Sequence, residues 1–228
     1  MKHIVILSGA GMSAESGINT FRDADGLWEG HYVMEVATPE GFLKNPDLVY
    51  DFYNQRRKQL FDVYPNEGHL QLANLEEQYK VTIITQNVDD LHERAVSKEV
   101  LHLHGELRKA RSTNDENYIL DWDEALTEKN VDPNGNPLRP HIVWFGEAVP
   151  MLDIAAQVVS KADIVLIIGT SLQVYPAASL YEFAKKNTPI YYIDPKPVSG
   201  IPSSIHLIEK GASEGVMEFK ELLKSLEF

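Results

Sequence analysis

The sequence predicts an α/β fold: a Rossmann-like doubly wound parallel sheet with a smaller inserted lobe. Three observations predict it. Short, continuously apolar and β-branched runs stop at small or polar residues, as strands buried on both faces do. Stretches with apolar positions three and four apart, the mark of amphipathic helices, separate them. The first run ends in a glycine-rich turn, SGAGMS, of the kind that joins strand to helix in βαβ units.

Taken in order, residues 4–7 form the first strand, followed by the turn at Gly9 and Gly11. Residues 23–64 interrupt the alternation with a loop and then a helix, NPDLVYDFYNQRRKQLF. A helix over 68–79 leads to a strand over 81–85, and a weaker strand follows at 100–103. Residues 108–138 are polar, contain DPNGNP and have little periodicity. A further weak strand is expected at 142–145 and a helix at 151–161. Strands at 163–168 and 190–193 and a weaker one at 205–208 alternate with helices at 177–186 and 215–226. The predicted organisation is a nucleotide-binding sheet domain from 1–22, 65–107 and 139–228. The inserted segments 23–64 and 108–138 form the small lobe, one part helical and one part irregular.

Length and composition bound the function. A chain of 228 residues, 43% apolar and 24% charged, buries a sizeable core without staples. It contains no cysteine, which removes disulfides, a thiol nucleophile and thiolate metal sites together. The formal charge of −13 repels phosphate backbones, so no nucleic-acid partner is expected, and an anionic ligand must be held by local devices. The apolar N-terminal run meets glycines and no cleavage site, and no stretch reaches the length of a membrane span. A cytoplasmic protein without a membrane partner is expected. The sequence leaves the oligomeric state open, and a monomer is compatible with it.

Ligands of such sheets bind at the carboxyl ends of the strands, which directs attention to SGAGMS, TQNVDD, GTSLQV and DPKP. Gly9, Gly11 and Ala14 fit a Gly-x-Gly-x-x-Gly/Ala turn that brings backbone N–H groups to a pyrophosphate, though a plain tight turn has the same pattern. His104 suits a base near neutral pH. Without context it reads as a hydrogen-bonded structural histidine; a metal pair with His102, two residues away on the same strand face, is disfavoured, since the chain has no cysteine and no carboxylate at ligand spacing. Asn87 and Asp89 follow a strand, and could serve a ligand or their own turn. Tyr53 and Arg56, three apart, share one helix face; from spacing alone they read as a core aromatic and a solvated cation.

Five segments in order, GAGMSAESGINTFR at 9–22, TQNVDDLH at 85–92, LHGEL at 103–107, RPHIVWFGE at 139–147 and GTSLQVYPA at 169–177, resemble the successive motifs of the sirtuin family of NAD-dependent protein lysine deacylases, in its prokaryotic type. The resemblance implies NAD as cofactor and acyl-lysine proteins or peptides as substrates. In that chemistry the acyl oxygen attacks the anomeric carbon of the nicotinamide ribose, nicotinamide leaves, and a base then activates a ribose hydroxyl, giving O-acyl-ADP-ribose. It makes His104 that base, and places Asn87 and Asp89 in the nicotinamide pocket. Cofactor contacts fall to Gly9, Ala10, Gly11, Ser13, Phe21, Arg22, Gln86, Gly169, Thr170, Ser171, Asp194 and Ala212. Val143, Phe145 and Gly146 line the acyl-lysine channel, where the peptide adds as a strand.

ATP at 37–39 and FYNQRR at 52–57 resemble class III sirtuins, in which a small residue widens the pocket and a Tyr and Arg bind a terminal carboxylate. Ala37, Tyr53 and Arg56 match those positions, which implies desuccinylation and demalonylation above deacetylation. A deacetylase without that preference, a protein ADP-ribosyltransferase using the same cleft, and a noncatalytic NAD- or ADP-ribose-binding module are the competing readings.

The sequence also departs from the family. Most sirtuins carry four zinc-binding cysteines between the catalytic histidine and the RPH motif; here that interval offers only oxygen donors such as Ser112, Asp115 and Asp132, which suit structural zinc poorly. No structural zinc is expected, and the lobe must be held by contacts from Tyr118, Ile119, Leu120, Trp122 and Leu126. Asn19 replaces a usual proline, and Asp194 replaces an asparagine near the adenosine ribose, which favours NAD over NADP.

Overall fold

The computed structural model describes residues 1–19, 27–28 and 30–225. In chain order, β1 (His3–Ser8) is followed by a two-stranded ribbon, β2 (Leu27–Trp28) and β3 (His31–Tyr32). Three helices come next, α1 (Val33–Val36), α2 (Pro39–Lys44) and α3 (Pro46–Leu60), then α4 (Glu67–Asn74), β4 (Lys80–Thr85), α5 (Leu91–Arg94) and β5 (Val100–His102). The small sheet uses β6 (Gly105–Ser112), β7 (Ile119–Asp121) and β8 (Leu138–Ile142). The chain closes with α6 (Leu152–Val159), β9 (Ile164–Ile168), β10 (Ile190–Ile193), β11 (Ile205–Ile208) and α7 (Ala212–Ser225).

The main sheet is six-stranded, in the order β11-β10-β9-β1-β4-β5, and every pairing is parallel. Successive strands grow outward from β1 on one side and from β9 on the other, so the order reverses between these two, where ligands of doubly wound sheets bind. Alternation along each strand divides the core. Ile4, Ile6, Ile83 and Leu166 face α4 and α7 through Leu72, Val216 and Phe219. Val5, Leu7, Val165 and Ile167 face α6 and a 3₁₀ helix, Ala177–Phe183, through Ala155, Val159 and Leu180. Burial on both faces is why these strands read as unbroken apolar runs.

The small lobe lays α3 against the antiparallel sheet β7-β6-β8. Asn45 caps α3, its side chain accepting from Leu48 N–H at 3.2 Å, with Pro46 at the first helical position. Thr38 caps α2 likewise through Gly41 N–H at 3.0 Å. The Asn54 side chain clamps Leu126 from both sides, donating to its carbonyl at 2.9 Å and accepting from its N–H at 2.8 Å. The chain leaves the main sheet at Gly105, where φ is +82° and a Cβ would collide with the His141 carbonyl.

Three expectations need correction. Residues 142–145 do not form a parallel strand; the strand is β8, which ends at Ile142 and runs antiparallel to β6. Pro140 is tolerated there because β8 is an edge strand. Residues 105–107 and 139–142, grouped by the sequence with the nucleotide domain, belong to strands of the small sheet. The helix expected over 177–186 is the seven-residue 3₁₀ segment. Among the described residues no helix is long and apolar enough to cross a membrane.

Candidate active site

A cleft opens at the carboxyl ends of β1, β4 and β9 and continues between the sheet and the small lobe. Its floor is two turns pressed together. Gly9 N–H donates to the Ile168 carbonyl at 3.0 Å and Gly11 N–H to the Gly169 carbonyl at 2.7 Å. A Cβ at Gly11 would lie 2.7 Å from the Cα of Gly169, itself at φ +63°. Side chains are thus excluded from the junction, leaving a cradle of backbone with the hydroxyls of Thr170 and Ser171 at its edge.

Beyond β4, a hydrogen-bonded chain of buried polar groups lines the cleft. Asn87 donates through Nδ2 to Ser13 Oγ at 3.1 Å, and Ser13 donates to Asp89 Oδ2 at 2.9 Å. The other Asp89 oxygen accepts from Leu91 N–H at 3.1 Å. Burial pushes the Asp89 carboxyl up to about 6 against the opposing effect of these bonds. Gln86 reaches across to Thr170 Oγ1 at 3.3 Å, tying the turn after β4 to the turn after β9.

His104 stands on the facing wall. Its Nδ1 lies 3.1 Å from the Gln86 carbonyl, which can only accept, so Nδ1 carries the proton and Nε2 the lone pair. Burial holds the ring below its ordinary value, with the Gln86 bond partly opposing, so it is neutral at pH 7. A neutral imidazole with this tautomer is a base at Nε2. His102 is not a metal partner of His104: its nitrogens face the Asn87 carbonyl at 3.0 Å and Glu93 at 2.7 Å.

The channel between lobes is lined by Ala37, Tyr53 and Arg56 from the helical segment and by Val143, Phe145 and Gly146 from the loop after β8. Val143 N–H donates to the His104 carbonyl at 2.9 Å and Phe145 N–H to the Ala37 carbonyl at 2.9 Å, so this loop bridges base and channel. Tyr53 is fully buried, and its oxygen accepts from Trp144 Nε1 at 2.9 Å. Burial raises the phenol well above its usual value, so the hydroxyl keeps its proton. The Arg56 guanidinium lies 4.1 Å from the centre of the Phe52 ring and donates to the Phe52 carbonyl at 2.9 Å.

The cleft therefore brings together most of the residues singled out from sequence, the glycine turns, the Asn87–Asp89 turn, His104 and the Tyr53–Arg56 pair. Asp194 is not among those lining it: it is fully buried after β10 and accepts from Lys196 N–H at 2.8 Å. Ala212 lies at the start of α7, against Gly68. Phe21 and Arg22 lie outside the described residues. Trp144, within RPHIVWFGE, carries no signal of its role in the sequence, because that role depends on a partner 91 residues away. The loop bearing it is anchored by Glu147, which accepts from Arg139 at 2.6 Å, from Arg111 at 3.2 Å and from Trp144 N–H at 2.8 Å.

Glycine-rich turns at the reversal point of a doubly wound sheet define a dinucleotide-binding α/β protein. The Sir2 family model matches residues 9–176. A protein of Helicobacter pylori named NAD-dependent protein deacylase is 58% identical over 219 residues, covering 96% of each chain. A Sir2 homologue solved in complex with NAD superposes with a TM-score of 0.88 and 41% identity, covering 99% of this chain and 91% of its own. A Sir2 mutant solved with a p53 peptide and NAD gives 0.78 and 27%, over 97% and 93%. The chain belongs to the Sir2 family.

Proposed function

We propose that this chain is an NAD-dependent protein lysine deacylase that removes succinyl and malonyl groups in preference to acetyl. The supporting observation is that Tyr53 and Arg56 line the same cleft as the neutral His104. A guanidinium beside a phenol O–H holds a carboxylate by charge-assisted hydrogen bonds, a local attraction that a protein of net charge −13 needs for an anionic group.

The residues present fit NAD: a backbone cradle suits a pyrophosphate, and the Asn87–Ser13–Asp89 chain offers both donors and acceptors to a carboxamide. When bound, NAD supplies the electrophilic anomeric carbon and releases nicotinamide. In this reading Asp89 accepts from the carboxamide and Asn87 orders the ribose or a water. Gly9, Ala10, Gly11, Ser13, Gln86, Gly169, Thr170 and Ser171 hold the dinucleotide. His104 takes a ribose hydroxyl proton at Nε2, and Val143, Phe145 and Gly146 seat the acyl-lysine stem. The ring must be neutral to act, so activity rises with pH through its lowered value.

Arg56→Met tests the acyl preference. With NAD and peptides bearing succinyl-, malonyl- or acetyl-lysine, followed by mass, kcat/KM on the acidic acyl groups should fall roughly 10–100-fold while any acetyl activity persists. Equal loss on all three peptides sinks the role. Nicotinamide without deacylated peptide would mark ADP-ribosyl transfer, and neither product would mark a binding module.

A further inference from the structure

His102 closes β5 with its imidazole between two groups that can only accept. Nδ1 lies 3.0 Å from the Asn87 carbonyl oxygen and Nε2 lies 2.7 Å from Glu93 Oε1. Serving both requires a proton on each nitrogen, which makes the ring an imidazolium. A neutral ring would satisfy one partner and set a lone pair against the other. The His102 side chain is 8% exposed and that of Glu93 40%, so the pair sits at the edge of the interior, where charge attraction is stronger than in water.

The surroundings favour the charge. Glu93 faces the ring from α5, Glu106 from β6 and Asp89 from the turn after β4, while His92 on α5 opposes it. Lys109 on β6 is taken up by Glu106 at 2.8 Å and also faces Glu93. Burial is the largest single effect and works against protonation, but Glu93, Glu106 and the Asn87 carbonyl together lift the ring above its ordinary value.

What His102 holds is the turn that carries the chemistry. Asn87 donates its side-chain amide to Ser13 Oγ and its N–H to Thr85 Oγ1 at 3.0 Å, and its carbonyl accepts from His102 Nδ1–H. On losing one proton the ring can serve Glu93 or the Asn87 carbonyl but not both; the carboxylate, the stronger acceptor, keeps the remaining proton at Nε2, and the carbonyl is left facing the bare Nδ1. Asn87 would shift, and with it the Ser13 bridge to Asp89. We propose that His102, as a charged bridge from Glu93 to the Asn87 carbonyl, is a positioning residue for the 87–89 turn, and that its deprotonation sets the alkaline limb of the reaction. His104 and His102 then divide the pH profile: one must be neutral and the other charged. The kinetic half of this inference rests on the deacylase reading.

The test joins two measurements on wild type, H102Q and E93Q. In histidine ring NMR, His102 should titrate above 6.5, its midpoint should fall in E93Q, and the backbone amides of residues 87–89 should follow the same titration. In pH profiles of deacylation, the alkaline limb of kcat/KM should coincide with that midpoint, move to lower pH with it in E93Q, and disappear in H102Q, whose kcat/KM should fall about tenfold. A midpoint below 6.5, one indifferent to E93Q, amides of 87–89 that ignore the titration, or an alkaline limb fixed in both variants would overturn the role. If no nicotinamide is released at any pH, the deacylase reading fails by itself, and the ring and amide titrations still decide whether His102 holds the turn. If H102Q does not fold, E93Q carries the test.

Discussion

Asp89 shows what a single functional residue costs the fold. The residue is buried, and burial pushes its carboxyl up to about 6. A group whose folded value is raised stabilises the fold below its unfolded value near 3.8 and loses that contribution as pH rises through about 6. At neutral pH the buried charge is therefore a liability. Asp89→Asn should raise stability at pH 7.5 by on the order of 2 kcal/mol, several degrees in Tm, while abolishing nicotinamide release; at pH 4 the gain should vanish. Thermal unfolding of both proteins at the two pH values checks it, and a variant less stable at pH 7.5 would refute it. Residues of this kind were legible from sequence because each follows a strand end. Trp144 and the His102–Glu93 pair were not, since their meaning lies in partners that no spacing rule connects.

At the scale of elements, the lobe without cysteines is held partly as its sequence suggests and partly otherwise. Leu126 is fully buried with Tyr50, Ala110 and Leu138, and Tyr118, Leu120 and Trp122 pack against them. Ile119, expected to join them, is 43% exposed. The added device is Asp132, whose carboxylate accepts from Ser112 Oγ at 2.7 Å, Asn136 Nδ2 at 2.8 Å, and the N–H groups of Asn134 at 2.8 Å and Asn136 at 2.9 Å. It fastens the end of β6 to the approach to β8. From sequence, Ser112 and Asp132 were legible only as poor metal ligands, because their mutual distance was not. The Asn136 bond, with the others, holds the Asp132 carboxyl at about 2. A depressed value contributes stability above about 4 that is lost as pH falls toward 2. Asp132→Ala should speed amide exchange across residues 112–138 at neutral pH and leave β1, β4 and β9 protected. Uniform loosening of the whole chain would refute a local staple.

At the scale of the whole molecule, the main sheet and the small sheet differ in how plainly the sequence declares them. All six parallel strands were legible, the inner four because strands covered on both faces carry unbroken apolar runs and the edge strands β5 and β11 more faintly, because they are only partly covered. The small sheet was not. Its central strand, GELRKARS, reads as a surface segment until Arg108 finds Asp90 and Asp123, Lys109 finds Glu106, and Arg111 finds Glu147. The charge of −13 also acts at this scale. Succinyl-lysine peptides with basic flanking residues should lose affinity as salt rises and the field is screened within about 10 Å, whereas peptides with acidic flanks should not; a KM series across ionic strength with both peptides checks it.

The place of β1 at the centre of the sheet carries a consequence for synthesis. Its residues pair with β4 on one side and with β9, 160 positions later in the chain, on the other, as Ile4 does with Ile164. A growing chain can dock β4 and β5 against β1 early, but the other flank of β1 stays an unpaired apolar edge until β9 emerges. Such an edge is a template for association with other chains. The glycine turn at Gly9 and Gly11 gains its partner at Gly169 only then, so the cleft forms by the joining of two distant parts of the chain.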